Sequence, residues 1–165
     1  MNMNKDWALI KKLFNQATNS SGHHALASVD EDGNPHITPI GSLVLGKAGK
    51  GIYFERFTAN MPKNFEANKH VCVLAVNGSK WFWLKAILLG RFSSPPAVRL
   101  FGEVGEKRQA TKAELELWNK RVGGLSFTKG YKEMWAGMSM VRDITFSEAK
   151  PVMIGKMTKD VGYAC

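Results

Sequence analysis

The sequence predicts a mainly β protein, a closed or half-closed antiparallel barrel that carries helices. Three observations point there. Short apolar and β-branched runs are joined by turn residues, as in HALASV, DEDGN and PHITPI from His24 to Ile40. A near-continuous apolar strand, HVCVLAV, follows at His70–Val76. Segments with helical spacing or helix-start signals interrupt the strands.

Each element follows in order. In KDWALIKKLFNQA (residues 5–17), Trp7, Ile10, Leu13, Phe14 and Ala17 share one face, which predicts an amphipathic helix packed on a sheet. Asn19–Gly22 breaks it. His24–Val29 and Pro35–Ile40 form a hairpin around Gly33, a residue suited to positive φ. Two prolines in the second strand predict an edge strand or a bent one. Ser42–Leu45 continues it, and Gly51–Phe57 is the third strand. Asn60 is placed to cap a short helix reaching Asn68, with Pro62 in its first turn. His70–Val76 reads as a central strand covered on both faces. The segment WFWLKAILLGRFSSPP reads as a strand, or as a short helix followed by a Pro-rich loop. Val98–Glu106 is a fifth strand. Thr111-Lys112-Ala113-Glu114 has the capping-box pattern and opens a helix with Leu115, Trp118 and Val122, ended by Gly123-Gly124. Tyr131–Ala136 is one more helical piece. Met140–Ala149 alternates as a last strand, and Pro151–Met157 extends it past a break. No repeat or linker divides the chain, so it is one domain of 165 residues: helix 5–17, barrel 22–106 and 139–157, helical insertion 111–137.

Composition narrows the function. Two cysteines, Cys72 in an apolar strand and Cys165 at the end, make a disulfide framework unexpected and fit reduced thiols in a cytoplasm. The N-terminus is too polar for a signal peptide. The most apolar run, Trp81–Leu89, contains a Lys and is too short to cross a bilayer, and no membrane partner is assigned. The net charge of +9 favours an anionic partner: a nucleotide, a nucleic acid or a membrane surface. No Asp or Glu occurs from Ala67 to Gly102, where Lys69, Lys80, Lys85, Arg91 and Arg99 fall; that stretch is either a positive potential or an ordinary solvated surface. No basic run or Arg-Gly repeat points to nucleic acid. The histidines have no metal-ligand spacing, and Ser, His and acid residues form no hydrolase signature, so no metal and no catalytic side chain is assigned.

FERFTANMPKNFEAN followed by HVCVLAV, with the hairpin ALASVDEDGNPHITPIG before it, resembles the FMN-binding split-barrel family of pyridoxamine 5'-phosphate oxidase and its relatives. The resemblance runs from about Gly22 to Glu106, and more weakly to Pro151; RLFGEVGEKR fits it too. It implies a split β-barrel of Greek-key-like order, a homodimer with FMN at the interface, and a flavin-dependent oxidoreductase of unassigned substrate. It places Thr38, Pro39, Ile40 and Gly41 along the ring edge, and Phe54, Glu55 and Arg56 on the strand beneath. Thr58, Asn60, Lys63 and Asn64 face the ribityl chain and phosphate. Trp81, Trp83 and Arg91 are candidates for the partner-subunit wall.

The chemistry of FMN suits these residue types. A dianionic phosphate wants inward donors and cations, which a helix start, the forked Arg56 and the point charge of Lys63 supply. Prolines near the second strand leave backbone groups outside regular pairing for the ring. Each residue also has a plainer reading: Arg56 as a strand cation paired with Glu55, Lys63 as a solvated helix Lys, Thr58 and Asn60 as turn and cap, the tryptophans as core or interface.

True pyridoxamine-phosphate oxidases carry a C-terminal Arg-Leu-His segment for substrate. Here no His follows His70 and the chain ends KDVGYAC, so vitamin B6 oxidation is not expected. Any nicotinamide would bind transiently over the flavin, because no G-x-G-x-x-G occurs. Other readings are a non-enzymatic flavin or haem carrier or sensor, with His70 or a His of the 23–36 hairpin as haem ligand, and a basic barrel for single-stranded nucleic acid.

Overall fold

The computed structural model describes residues 1–56 and 58–161. The expected strand end at Phe57 and the terminal Cys165 lie outside them. Helix α1 (Trp7–Ser21) buries Trp7, Ile10, Leu13, Phe14 and Ala17, the five residues its spacing selects. It runs past the expected break at Asn19 and stops at Gly22, whose left-handed φ of 75° ends it.

Seven strands form one sheet: β1 (His24–Val29), β2 (Pro35–Ile40), β3 (Leu43–Leu45), β4 (Lys50–Phe54), β5 (His70–Val76), β6 (Ala97–Gln109) and β7 (Met140–Pro151). Their order is β2-β1-β5-β6-β7-β4-β3, and every pairing is antiparallel. This order dictates curvature. A flat sheet of this width would hold its edges about 29 Å apart. The edge strands β2 and β3 are joined by Gly41 and Ser42 alone, a link that spans at most about 11 Å. The sheet must therefore roll until its edges meet, and the molecule is a half-barrel with flanking helices, consistent with a split barrel. A register shift between Phe101 and Gly102 helps it turn. A Cβ on Gly102 would sit 2.3 Å from the Thr145 carbonyl oxygen, so only glycine fits there.

Leu26, Val73, Val98, Leu100 and Ile144 line the barrel interior with no exposure, and α1 closes it. Helix α2 (Asn60–Ala67) adds Met61 and Phe65. Asn60 does not cap it: the cap position is Ala59, without a side-chain hydrogen bond, and Asn60 is the first helical residue. Strand β5 is central but not covered on both faces. Val71, Val73 and Ala75 are buried while Cys72 and Leu74 are half-buried, the alternation of a strand with one core face.

The ambiguous segment is a helix, α3 (Lys80–Leu89), started by the Ser79 side chain and stopped by Gly90 at φ 65°. Helix α4 (Lys112–Val122) has the expected capping box. Gly123-Gly124 does not end the helical path but enters a 3-10 turn at Gly123–Leu125. The next helix, α5, spans Lys129–Met134. Phe54, Trp118, Val122 and Val141 form a second apolar cluster that joins this insertion to the barrel wall. β7 does not continue to Met157; the chain makes a 3-10 turn at Gly155–Thr158, where Thr158 Oγ1 accepts from Ile154 N at 2.8 Å. No helix among the described residues is long and apolar enough to cross a membrane.

Candidate functional site

The two sheet edges meet where β2 passes into β3, and a cleft of about 390 Å³ opens at that seam. This volume is within the range of small-molecule sites. One wall is the β2 end, Thr38 to Ser42. As an edge strand, β2 directs half of its backbone groups away from β1. Pro35 and Pro39 have no N–H to give, so they sit on an edge at little cost. The facing wall comes from Tyr53, Arg56 and Thr58, at and beyond the end of β4. Met134, Trp135 and Met138, from α5 and the turn after it, supply apolar lining, and His23 lines the cleft as well.

Polar contacts fix these groups. Tyr53 is buried, and its hydroxyl lies 3.0 Å from Thr58 Oγ1. Burial raises its pKa to about 12, with the Glu55 charge adding to the rise, so it keeps its proton. Arg56 donates to the Ala136 carbonyl and so links the β4 end to the insertion. Glu55 turns inward: its Oε2 accepts from Arg142 Nε, and Lys107 Nζ lies 2.7 Å from its Oε1. The Arg142 guanidinium also stands over the Phe65 ring, 5.5 Å from its centre. This buried pair anchors the strand end that carries Arg56.

Of the residues expected at the site, the fold gathers Thr38, Pro39, Ile40, Gly41, Arg56 and Thr58 into this cleft. Phe54 points to the opposite side of β4 and packs on Trp118, ring centres 5.0 Å apart. Asn60 and Lys63 line a separate hollow of about 640 Å³ with Asp30, Glu31 and Glu66. Asn64 lies buried, its Nδ2 donating to Ser28 Oγ at 3.0 Å. Trp81 stands exposed on α3, Trp83 donates Nε1 to the Asn77 carbonyl at 2.6 Å, and Arg91 lines a third hollow with Phe82 and Phe92.

Sequence reasoning missed Tyr53, Trp135 and the two methionines, and it named His23 only among the hairpin histidines offered as a haem ligand. Tyr53 carried a signal, as an aromatic beside the chosen Phe54 on an alternating strand. Trp135 and the methionines lie some eighty residues further along the chain from Arg56, and no local pattern connects them.

Comparisons with known proteins agree with this architecture. A family model described as pyridoxamine 5'-phosphate oxidase matches residues 10–152. No curated protein matches the sequence significantly. Among solved structures, an FMN-binding protein from Syntrophomonas wolfei subsp. wolfei superposes with TM-score 0.60 at 14% identity, covering 91% of this chain and 94% of its own. The haem storage protein HutZ from Vibrio cholerae gives TM-score 0.55 at 12% identity, covering 87% and 92%. An F420 reductase gives 0.53 at 14% identity, covering 78% and 88%. At these identities the likeness is one of fold.

Proposed function

Because this chain belongs to the pyridoxamine 5'-phosphate oxidase family, we propose that it binds FMN in the seam cleft and acts as a flavin-dependent oxidoreductase. One observation carries the reading: the end of an edge strand, Thr38–Ile40 with Gly41, and a cation, Arg56, line one cleft together with the apolar Met134, Trp135 and Met138. The β2 edge offers backbone donors and acceptors to the polar rim of a flat ring. Ile40, Trp135 and Met138 give the ring apolar contact and keep water from it. Arg56 and Thr58 suit the phosphate and ribityl chain. Lys63 is less suited, because Asp30, Glu31 and Glu66 surround its hollow.

When bound, FMN supplies two-electron chemistry; the protein binds and orients it. The protonated Tyr53 holds Thr58 in place, and the Glu55–Arg142 pair holds the strand end. A nicotinamide or oxygen would be the other redox partner. A second copy of the chain would cover the open side of the cleft as a homodimer. A reducing compartment such as the cytoplasm suits the unpaired Cys72.

A second reading, haem binding, is favoured by one detail. His23 lines the cleft, and its Nδ1 lies 2.8 Å from the Ser21 carbonyl oxygen. A carbonyl there fixes the proton on Nδ1 and leaves Nε2 as the basic nitrogen, the arrangement common in metal-ligating histidines. The visible spectrum of the purified protein decides between the two. A flavin-shaped spectrum bleached by NADPH or NADH supports the oxidoreductase. A Soret band lost in His23→Ala supports haem, and a colourless protein that takes up neither cofactor defeats both readings.

A further inference from the structure

The fold leaves α3 largely uncovered. Of its residues only Ala86 is buried, while Trp81 is 80%, Leu88 76% and Ile87 66% exposed. At about 100° per residue, Trp81, Leu84 and Leu88 form one stripe on the side away from Ala86, and Lys80 and Lys85 fall on either side of it. The stripe is not what holds the helix. Ser79 caps it, Trp83 donates to Asn77, and the Phe82 and Trp83 rings pack on Phe92 at 5.4 and 5.2 Å. An apolar stripe that the core does not use is built for something outside.

Charge selects what covers it. Lys80, Lys85 and Arg91 lie within a stretch free of Asp and Glu from Ala67 to Gly102, on a chain of net charge +9. No ion pair among the described residues engages these three, although Asp160 shares a hollow with Lys85 and Arg91. A second copy docked on the same stripe about a twofold axis would bring both sets of lysines together, an arrangement that repels. A surface of anionic headgroups pairs with them instead. Trp with short apolar neighbours flanked by Lys is the composition of a helix lying in a membrane interface.

We propose that α3 docks this protein on anionic phospholipid surfaces. Trp81, Leu84 and Leu88 enter the headgroup boundary, and Lys80, Lys85 and Arg91 meet the lipid phosphates. The helix is about 15 Å long and lies in the plane of the surface without crossing it. The docking is independent of what the seam cleft binds.

Cosedimentation of the whole protein with vesicles tests this. Vesicles containing phosphatidylglycerol should bind it about 100-fold more tightly than pure phosphatidylcholine, from about fivefold for each of three cations. Adding salt should weaken the binding. Trp81→Glu with Leu88→Glu should abolish it while leaving the thermal melt unchanged; Lys80→Glu with Lys85→Glu, which spares the apolar stripe, should also abolish it. Equal binding to both vesicle types, binding that survives these substitutions, or no vesicle binding would overturn the proposal. Self-association lost on Leu88→Glu, without vesicle binding, would assign the stripe to a second copy instead.

Discussion

The Arg56 guanidinium donates to the Ala136 carbonyl and so fastens the end of β4 to the turn after α5, across eighty residues of chain. That bond sets Trp135 and Met138 against the barrel seam and gives the cleft its apolar side. A charge-assisted hydrogen bond of this kind contributes about 1.5–3 kcal/mol. In Arg56→Ala, amide exchange across residues 129–138 should accelerate by about tenfold or more, with β5 and β6 unchanged. Unchanged exchange in the insertion would mean that other contacts hold it.

His24 predicts an acid-sensitive window. It is buried, stacked 3.9 Å from Phe14, and its Nε2 lies 2.9 Å from Thr18 Oγ1. Burial lowers its pKa from 6.5 to about 4, with Arg121 and then His23 adding to the fall. Between those values the unfolded chain takes up a proton that the folded chain refuses. Stability from this group is therefore whole above about pH 7, falls as pH drops from 6.5 towards 4, and levels off below, a loss of up to about 3 kcal/mol. Urea midpoints measured from pH 8 to 4 should show a shallower decline in His24→Leu than in the parent. Parallel curves would contradict the assignment.

The Glu55–Arg142 pair should be worth far more than the Lys107 contact to the same carboxylate. The Glu55 and Arg142 side chains are 3% and 8% exposed, whereas that of Lys107 is 44% exposed. Glu55→Ala strands a buried guanidinium and should cost about 3–5 kcal/mol. Lys107→Ala removes a solvent-screened partner and should cost at most about 1 kcal/mol. Denaturant midpoints compare the two directly, and equal losses would refute the distinction.

Gly102 should not tolerate a methyl group. Its added Cβ would meet the Thr145 carbonyl oxygen at 2.3 Å and the Phe146 Cα at 2.8 Å, both backbone atoms with little room to yield. Gly102→Ala should cost about 3 kcal/mol or more. Gly130→Ala, in α5 with nothing within 4 Å of the new atom, should be neutral or stabilise by up to about 1 kcal/mol. Thermal melts of the two variants test the contrast.

Much of the fold was legible because local chemistry and packing agree. The spacing of Trp7 to Ala17 selected the buried face of α1, Gly33 at φ 85° turns the first hairpin, and Thr111 with Glu114 forms the capping box. The helix at Lys80 resisted reading because its outer face is apolar as well, so it shows no periodicity to separate helix from strand. The apolar Cys72 and Leu74 make β5 resemble a strand covered on both faces, yet they are only half-buried. In the candidate cleft, the short stretch Thr38 to Gly41 lies together with Arg56 and Thr58. Asn64, expected at the ribityl chain and phosphate, gives its amide to Ser28, a partner thirty-six residues away, while lining the hollow of Asn60 and Lys63. Trp135 escaped notice because only the tertiary fold brings the insertion to the seam.

The central claim is that FMN sits at the barrel seam with its phosphate near Arg56, not Lys63. Titration of FMN into the parent, Arg56→Ala and Lys63→Ala proteins, followed by quenching of flavin fluorescence, tests it most directly. Binding by the parent should weaken about 10- to 100-fold in Arg56→Ala and stay within about twofold in Lys63→Ala. No binding by the parent, or a loss in Lys63→Ala as large as in Arg56→Ala, would contradict it.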